Sequence, residues 1–304
     1  MRYESYQRSK KMPRMAKHFP SLKTKAGPNL DAWMFTEDIL AANFAVEVQA
    51  RQAHEGHAIA ILKSLTNRPE YITQGLDSLL GASVDKIAGE LVFYGRSVHE
   101  IVRDEENNGV YLLYSFTPQR LFHAFGRYIQ LIPKADRSLW KKAYVVIPDK
   151  DIWHIAMPEE LGGCRGYHAI LKGLARFPHV SPSFFLDELT KKQRPAHYDT
   201  QRYVRESEFF QAKVTARWGW NRRDYGQQNW TEFYLFYRTL QFIWAQAFMR
   251  EHIVWEVNRL FRRLDIEAEM VVKGLPTATE ILAVRQRMCE SDISFIEALH
   301  ACSV

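Results

Sequence analysis

The sequence predicts an α+β protein, mainly helical, with a small β-rich module inserted between helices. Three observations carry this. Apolar residues recur at helical spacing in long windows on both sides of the middle of the chain. Between residues 96 and 157 the pattern changes to short alternating runs separated by turn signals. The 304 residues are 46% hydrophobic and 25% charged, values of a chain that packs a core rather than staying disordered.

The first thirty residues read as an arm, with Pro13, Pro20 and Pro28 and little periodicity. Residues 1–25 hold eight basic side chains and one acid, Glu4, a balance of +7. The other 279 residues carry 33 basic and 34 acidic groups, a balance of −1. The net charge of +6 therefore belongs to the arm, which suits an anchor for an acidic partner more than a broad nucleic-acid-binding face.

Residues 37–54 are predicted helical from Ile39, Ala42, Val46 and Gln49, and a second run covers Ala58–Leu65. Pro69 suits a first helical position. From there Ile72, Leu76, Leu80, Val84, Ile87 and Leu91 form one apolar stripe, predicting a helix from Glu70 to Tyr94 that Gly95 ends. Gly75, Gly81 and Gly89 each weaken it by about 1 kcal/mol against alanine, so close neighbours are expected to hold it.

Six strands are expected next: 97–103, 110–116, 121–125, 128–132, 143–147 and 152–156, with Asn107-Asn108-Gly109 a turn and Pro133–Lys142 a polar loop. Helices follow at Gly166–Phe177, broken by Pro178 and Pro182, then at Ser183–Gln193, Gln201–Arg217 and Asn229–Leu264. Thr277-Ala278-Thr279-Glu280 is a capping box opening another helix, and Ser291 or Asp292 is expected to cap the last.

Local chemistry motifs are few. His54-Glu55-Gly56-His57 spaces its histidines three apart, whereas a zincin helix needs four. Cys164, Cys289 and Cys302 are too scattered for a zinc cage or a disulfide framework, which points to a reducing compartment. Gly162–Gly166 precedes a helix but lacks the Walker Lys-Ser/Thr pair, so it reads as a joint. No nucleophile elbow occurs, and no enzyme, cofactor or metal is expected. The N-terminus has no apolar signal core, and Phe233–Met249 is interrupted by Arg238, Gln241 and Gln246, so neither a signal peptide nor a membrane span is expected. Arg217-Trp218-Gly219-Trp220-Asn221-Arg222-Arg223-Asp224-Tyr225 interleaves arginines with aromatics: either a base-stacking patch or a packed aromatic turn with its arginines reaching outward.

The order of segments carries a resemblance. A helix runs into Gly95-Arg96-Ser97-Val98-His99-Glu100-Ile101-Val102-Arg103-Asp104. Gly109-Val110 and Leu112-Leu113 follow, then Phe116-Thr117-Pro118-Gln119-Arg120-Leu121. Asp151-Ile152-Trp153-His154-Ile155 then leads through Gly162–Gly166 into a helix. Trp218-Gly219-Trp220 and Asn229-Trp230-Thr231-Glu232 precede a long helix through Arg250-Glu251-His252-Ile253 to Asn258. Over roughly residues 60–262 this resembles tailed-phage portal proteins, although His99 and Glu100 stand where that family more often has aromatics.

The resemblance implies a portal fold of wing, stem, clip and short crown. Residues 1–69 would be the arm and part of the wing, 70–95 the first stem helix, and 96–160 a β-rich clip. Residues 161–177 would be the second stem helix, 178–200 the tunnel-loop region, 201–264 wing helices, and 265–304 a short crown. It implies a ring of about twelve subunits at one capsid vertex of the virion. The ring would contact the major capsid protein, the terminase large subunit and head-tail adaptors, and pass double-stranded DNA. Lys172, Arg176, Lys191, Lys192 and Arg194 would face that DNA, and Pro133, Lys134, Asp136, Arg137 and Lys141 would dock terminase and adaptors. A near-neutral body fits a bore through which phosphates must slide. The competing reading is a nucleic-acid-processing enzyme or accessory factor using the basic arm and the Trp218–Tyr225 patch.

Overall fold

The structure is a computed structural model. It describes residues 23–24, 27–28, 30–41, 46–50, 52–66, 76–105, 109–116, 120–134, 137–180, 200–222 and 230–302. The basic arm up to residue 22, the start of the expected 70–94 helix and the expected Ser183–Gln193 helix lie outside them.

The fold is α+β. A two-residue pairing, β1 (Lys23–Thr24) with β2 (Gly27–Pro28), precedes α1 (Leu30–Leu40), which buries Ala32, Phe35 and Ile39 at helical spacing. Here the sequence reading is corrected: residues 46–50 are not helix but strand β3 (Val46–Ala50). Val46, Val48 and Ala50 also alternate, and an eighteen-residue helical window hid the shorter period. The partner of β3 is β10 (Ala268–Val272), antiparallel, with Val46 opposite Val272 and Ala50 opposite Ala268. Neither strand was expected.

Helix α2 (Gln52–Thr66) buries Ala58, Ile61, Leu62 and Leu65, and α3 (Leu76–Tyr94) buries Leu80, Val84, Ile87 and Leu91, the stripe read from the sequence. Gly95 ends α3 at φ +69°, its N–H donating to the Leu91 carbonyl at 2.7 Å. A β-carbon there would lie 3.0 Å from Cys164 Sγ, so glycine suits both the turn and the close approach.

The six central strands form two three-stranded antiparallel sheets. One has the order β5 (Val110–Ser115), β4 (Arg96–Asp104), β9 (Ile152–Ala156). The other has the order β6 (Leu121–Ala124), β7 (Arg127–Leu131), β8 (Tyr144–Pro148), with the one-turn helix α4 (Arg137–Trp140) between its last two strands. The first sheet is welded to the helices: Leu113, Trp153 and Ile155 belong to the main core, and Leu113 N–H donates to Ser64 Oγ at 2.7 Å. The second sits on the first over a small core of Val98, Leu121, Tyr128, Ile147 and Ile152.

Helix α5 (Gly163–Val180) does not break at Pro178, contrary to the expected end at Phe177: the proline falls in the last turn, with two helical residues beyond it. Helix α6 (Thr200–Val214) stops three residues short of the expected Arg217, and α7 (Glu232–Arg263) is about 48 Å long. Its first half carries α8 (Ala278–Cys289) and α9 (Phe295–Cys302) around Leu240, Ala247, Ile281 and Met288. Thr277 and Glu280 make the expected capping box on α8. The cap of α9 is a correction: Ser294 and Glu297, not Ser291 or Asp292, exchange side-chain to backbone bonds at 3.3 and 2.8 Å. The signal was present as Ser-Phe-Ile-Glu. Ser294→Ala should lower stability by about 1 kcal/mol in urea unfolding, with no change in secondary structure away from α9.

Candidate functional site

The β module and its junction with the helices hold the unusual chemistry. Three regions are relevant: the outer face of the second sheet, the cationic positions on α5 and the β7–β8 connection, and a polar cluster buried at the root.

The register of β6–β7–β8 puts Phe122, Ile129 and Val146 in one row and Leu131 opposite Tyr144 in the next. These residues share one face, while Leu121, Tyr128 and Ile147 point inward. Among the described residues nothing covers the outer face: Phe122 is 52% and Tyr144 55% exposed, and Leu131 and Val146 are also exposed. A shallow depression of about 580 Å³ runs along β7, lined on one side by Tyr144 and Val146 and at its end by Phe125.

Of the cationic residues assigned to a channel, Lys172 is exposed on α5 and Arg176 lies one turn further along the same helix. Lys191, Lys192 and Arg194 fall outside the described residues. Of the docking set, Lys134, Arg137 and Lys141 are exposed and Pro133 is half-buried, while Asp136 lies outside. Arg137 Nε donates to the Ile132 carbonyl at 3.2 Å, and Lys141 has φ +50°. The loop thus gathers three of its cations at one end of the second sheet.

At the root, α3 and β4 build a buried network that no sequence motif announced. Lys86 Nζ lies 2.8 Å from Glu90 Oε1. Ser97 Oγ donates to Glu90 Oε2 at 2.7 Å and also sits 2.6 Å from His99 Nε2. Ser115 Oγ lies 3.1 Å from His99 Nδ1, and Trp153 packs on the imidazole with ring centroids 5.4 Å apart. His99 and Ser97 are fully buried. Burial pushes His99 down to about 4, against the pull of Glu90, with Lys86 adding to the fall. Burial pushes Glu90 upward, but His99, Lys86 and Ser97 together outweigh it and hold the carboxylate below its usual range. Serine and histidine within hydrogen-bond reach suggest nucleophilic chemistry, but the carboxylate and the serine meet the same imidazole nitrogen. The hydroxyl has no access to substrate. The network ties α3 to β4 through Glu90, Ser97 and His99.

The aromatic turn resolves toward packing. Trp218 and Trp220 are buried, with Trp218 edge-on to Phe35 at 5.6 Å and donating from Nε1 to the Leu161 carbonyl at 3.2 Å. Trp220 Nε1 donates to Asp38 Oδ2 at 2.8 Å. Arg238 reaches in from α7 to the carbonyls of Ala212 and Trp220 and to Thr215 Oγ1, while Arg222 pairs with Asp31 at 3.0 Å. The indoles are therefore not available to stack on bases, and Arg223, Asp224 and Tyr225 lie outside the described residues.

His54 Nδ1 accepts from Glu267 N–H at 2.7 Å, which makes it a brace between α2 and the segment before β10. Among the described residues no group of three metal-ligating side chains occurs. No helix among them is long and apolar enough to cross a membrane. No protein-family model matches the chain, and a search of curated proteins finds no match.

Proposed function

We propose that the chain is a subunit of a phage portal ring, with the β module as clip, α3 and α5 as the stem pair and α8–α9 as a short crown. In this reading the ring sits at one capsid vertex, passes double-stranded DNA during packaging and ejection, and offers the clip to the terminase large subunit and head-tail adaptors. The observation that carries it is the way the module is inserted. Its two ends meet: Met157 N–H donates to the Gly95 carbonyl at 2.9 Å, and Gly95 touches Cys164 at the start of α5. One helix enters the module and another leaves it beside the same point, as a clip on two stem helices requires.

The glycines of α3 support the same reading. A β-carbon at Gly81 or Gly89 would meet nothing within 4 Å. Among the described residues nothing demands glycine at either place, and a neighbouring subunit supplies a reason for it. Gly81→Leu and Gly89→Leu should raise the helical stability of the monomer by about 1 kcal/mol each while reducing the ring fraction in sedimentation. Rings that form as in the parent would remove α3 from the subunit contact. Electron microscopy of the purified chain tests the whole reading: rings of about twelve subunits support it, and a monomer that cleaves or modifies nucleic acid supports the competing one. The competing reading loses its stacking platform with the burial of Trp218 and Trp220.

A further inference from the structure

The outer face of the β6–β7–β8 sheet has a feature that folding does not explain. The β6–β7 hairpin turns through Phe125 and Gly126, between the paired residues Ala124 and Arg127. Both turn residues have positive φ, +53° and +66°. That geometry selects asparagine, aspartate or glycine at the first position. A phenylalanine there is strained, and its ring is fully exposed, so it gains no packing in return.

The rest of the face extends this anomaly into a track. From Phe125 the depression passes Arg127, Ile129 and Val146, and reaches Leu131 and Tyr144. Among the described residues no carboxylate lines it. Beyond Tyr144 the strand register brings five cations to one end: Arg120 before β6, Lys134 and Arg137 after β7, and Lys141 and Lys142 before β8. All five are exposed, and among the described residues none is ion-paired.

We infer that this face binds single-stranded nucleic acid, with Phe125 and Tyr144 as stacking platforms, Arg127 between them, and the five-cation end holding phosphates. Exposed aromatics interleaved with cations are what a single strand needs, because every base offers a π-face and every linkage a charge. An extended peptide fits less well. Lying on the sheet face, it would find, among the described lining residues, only the Arg127 side chain and the Tyr144 hydroxyl to meet its backbone N–H and C=O groups, and the others would be desolvated without partners. A second copy of the same face would offer these cations no carboxylate, whichever way round it lay. The inference does not depend on the portal reading.

The test uses the full chain and a fluorescein-labelled oligo(dT) of about 15 nucleotides, with oligo(U) and a duplex of equal length run beside it. Fluorescence anisotropy of the parent should show tighter binding to either single strand than to the duplex; the dT and U arms tell which sugar is preferred. Tyr144→Ala and Phe125→Asn should each weaken single-strand binding about tenfold and leave duplex binding, which the basic arm can supply, unchanged. Phe125→Asn also guards against misfolding, because Asn-Gly is a preferred turn here and the variant should melt at a higher temperature than the parent. The proposal is overturned if the parent binds duplex as tightly as single strand, or if both variants bind oligo(dT) like the parent. It is equally overturned if the variants lose an acidic, Phe-containing peptide or self-association while oligo(dT) binding stays the same.

Discussion

Trp218→Ala should lower the unfolding free energy by about 3–5 kcal/mol, the largest single loss expected in this chain. The indole has no exposed surface and stands where four elements meet. Phe35 comes from α1 and Tyr167 from α5, the Leu161 carbonyl receives its N–H, and α7 closes the other side through Gly219. Gly219 limits how far the site can relax into the vacated space: at φ +74°, a β-carbon there would collide with the Arg238 carbonyl oxygen, so the two backbones already lie close together. The cavity stays open and its full cost is felt. Urea unfolding of the parent and variant measures it, and a loss under about 1 kcal/mol would mean that the indole is not part of a packed core.

The second large effect is on pH dependence. His99 is held at about 4 in the folded chain, against an ordinary value near 6.5. Between those values the unfolded chain binds a proton that the folded one refuses, so stability falls as pH drops through the window and is fully present above it. The ceiling for one such group is about 3 kcal/mol. Half-buried His154, also pushed down to about 4 by burial and by Arg96, acts in the same direction with a smaller share. The depressed Glu90 adds a further loss at the acid end, because its stabilisation disappears as pH falls through its folded value. Groups facing His99 are Glu90 and Lys86 from α3, Ser97 and Ser115 from the sheet, and Trp153 from β9. His99→Gln keeps a polar side chain between the two serines but cannot titrate. Its stability curve should be flatter than the parent's from pH 6.5 to 4; parallel curves would place the acid sensitivity elsewhere.

These two sites differ in how far the sequence disclosed them. The α3 stripe was legible from Leu80 to Leu91 because a buried helix face repeats every three to four residues, and the capping box at Thr277 because it is a local bond. The six strands of the β module were legible through their turns. The β3–β10 pair was not, because its partners lie more than two hundred residues apart and each strand is only five residues long. The root network was equally hidden: Ser97 and His99 looked like ordinary polar positions of an alternating strand, and only the arrival of Glu90 and Ser115 gives them partners. The Trp218–Trp220 segment admitted two readings because residue type does not say which way an indole points.

The β3–β10 ladder also constrains when this protein can become complete. Val46 is synthesised more than two hundred residues before its partner strand, which ends at Val272. Until then, one edge of the nascent N-terminal half is an unmet strand of alternating valines, a surface prone to pair with other chains. Closing a loop of this length is also slow compared with forming the local helices around it. The intermediate most exposed to misassociation is therefore the chain that has made α7 but not yet β10.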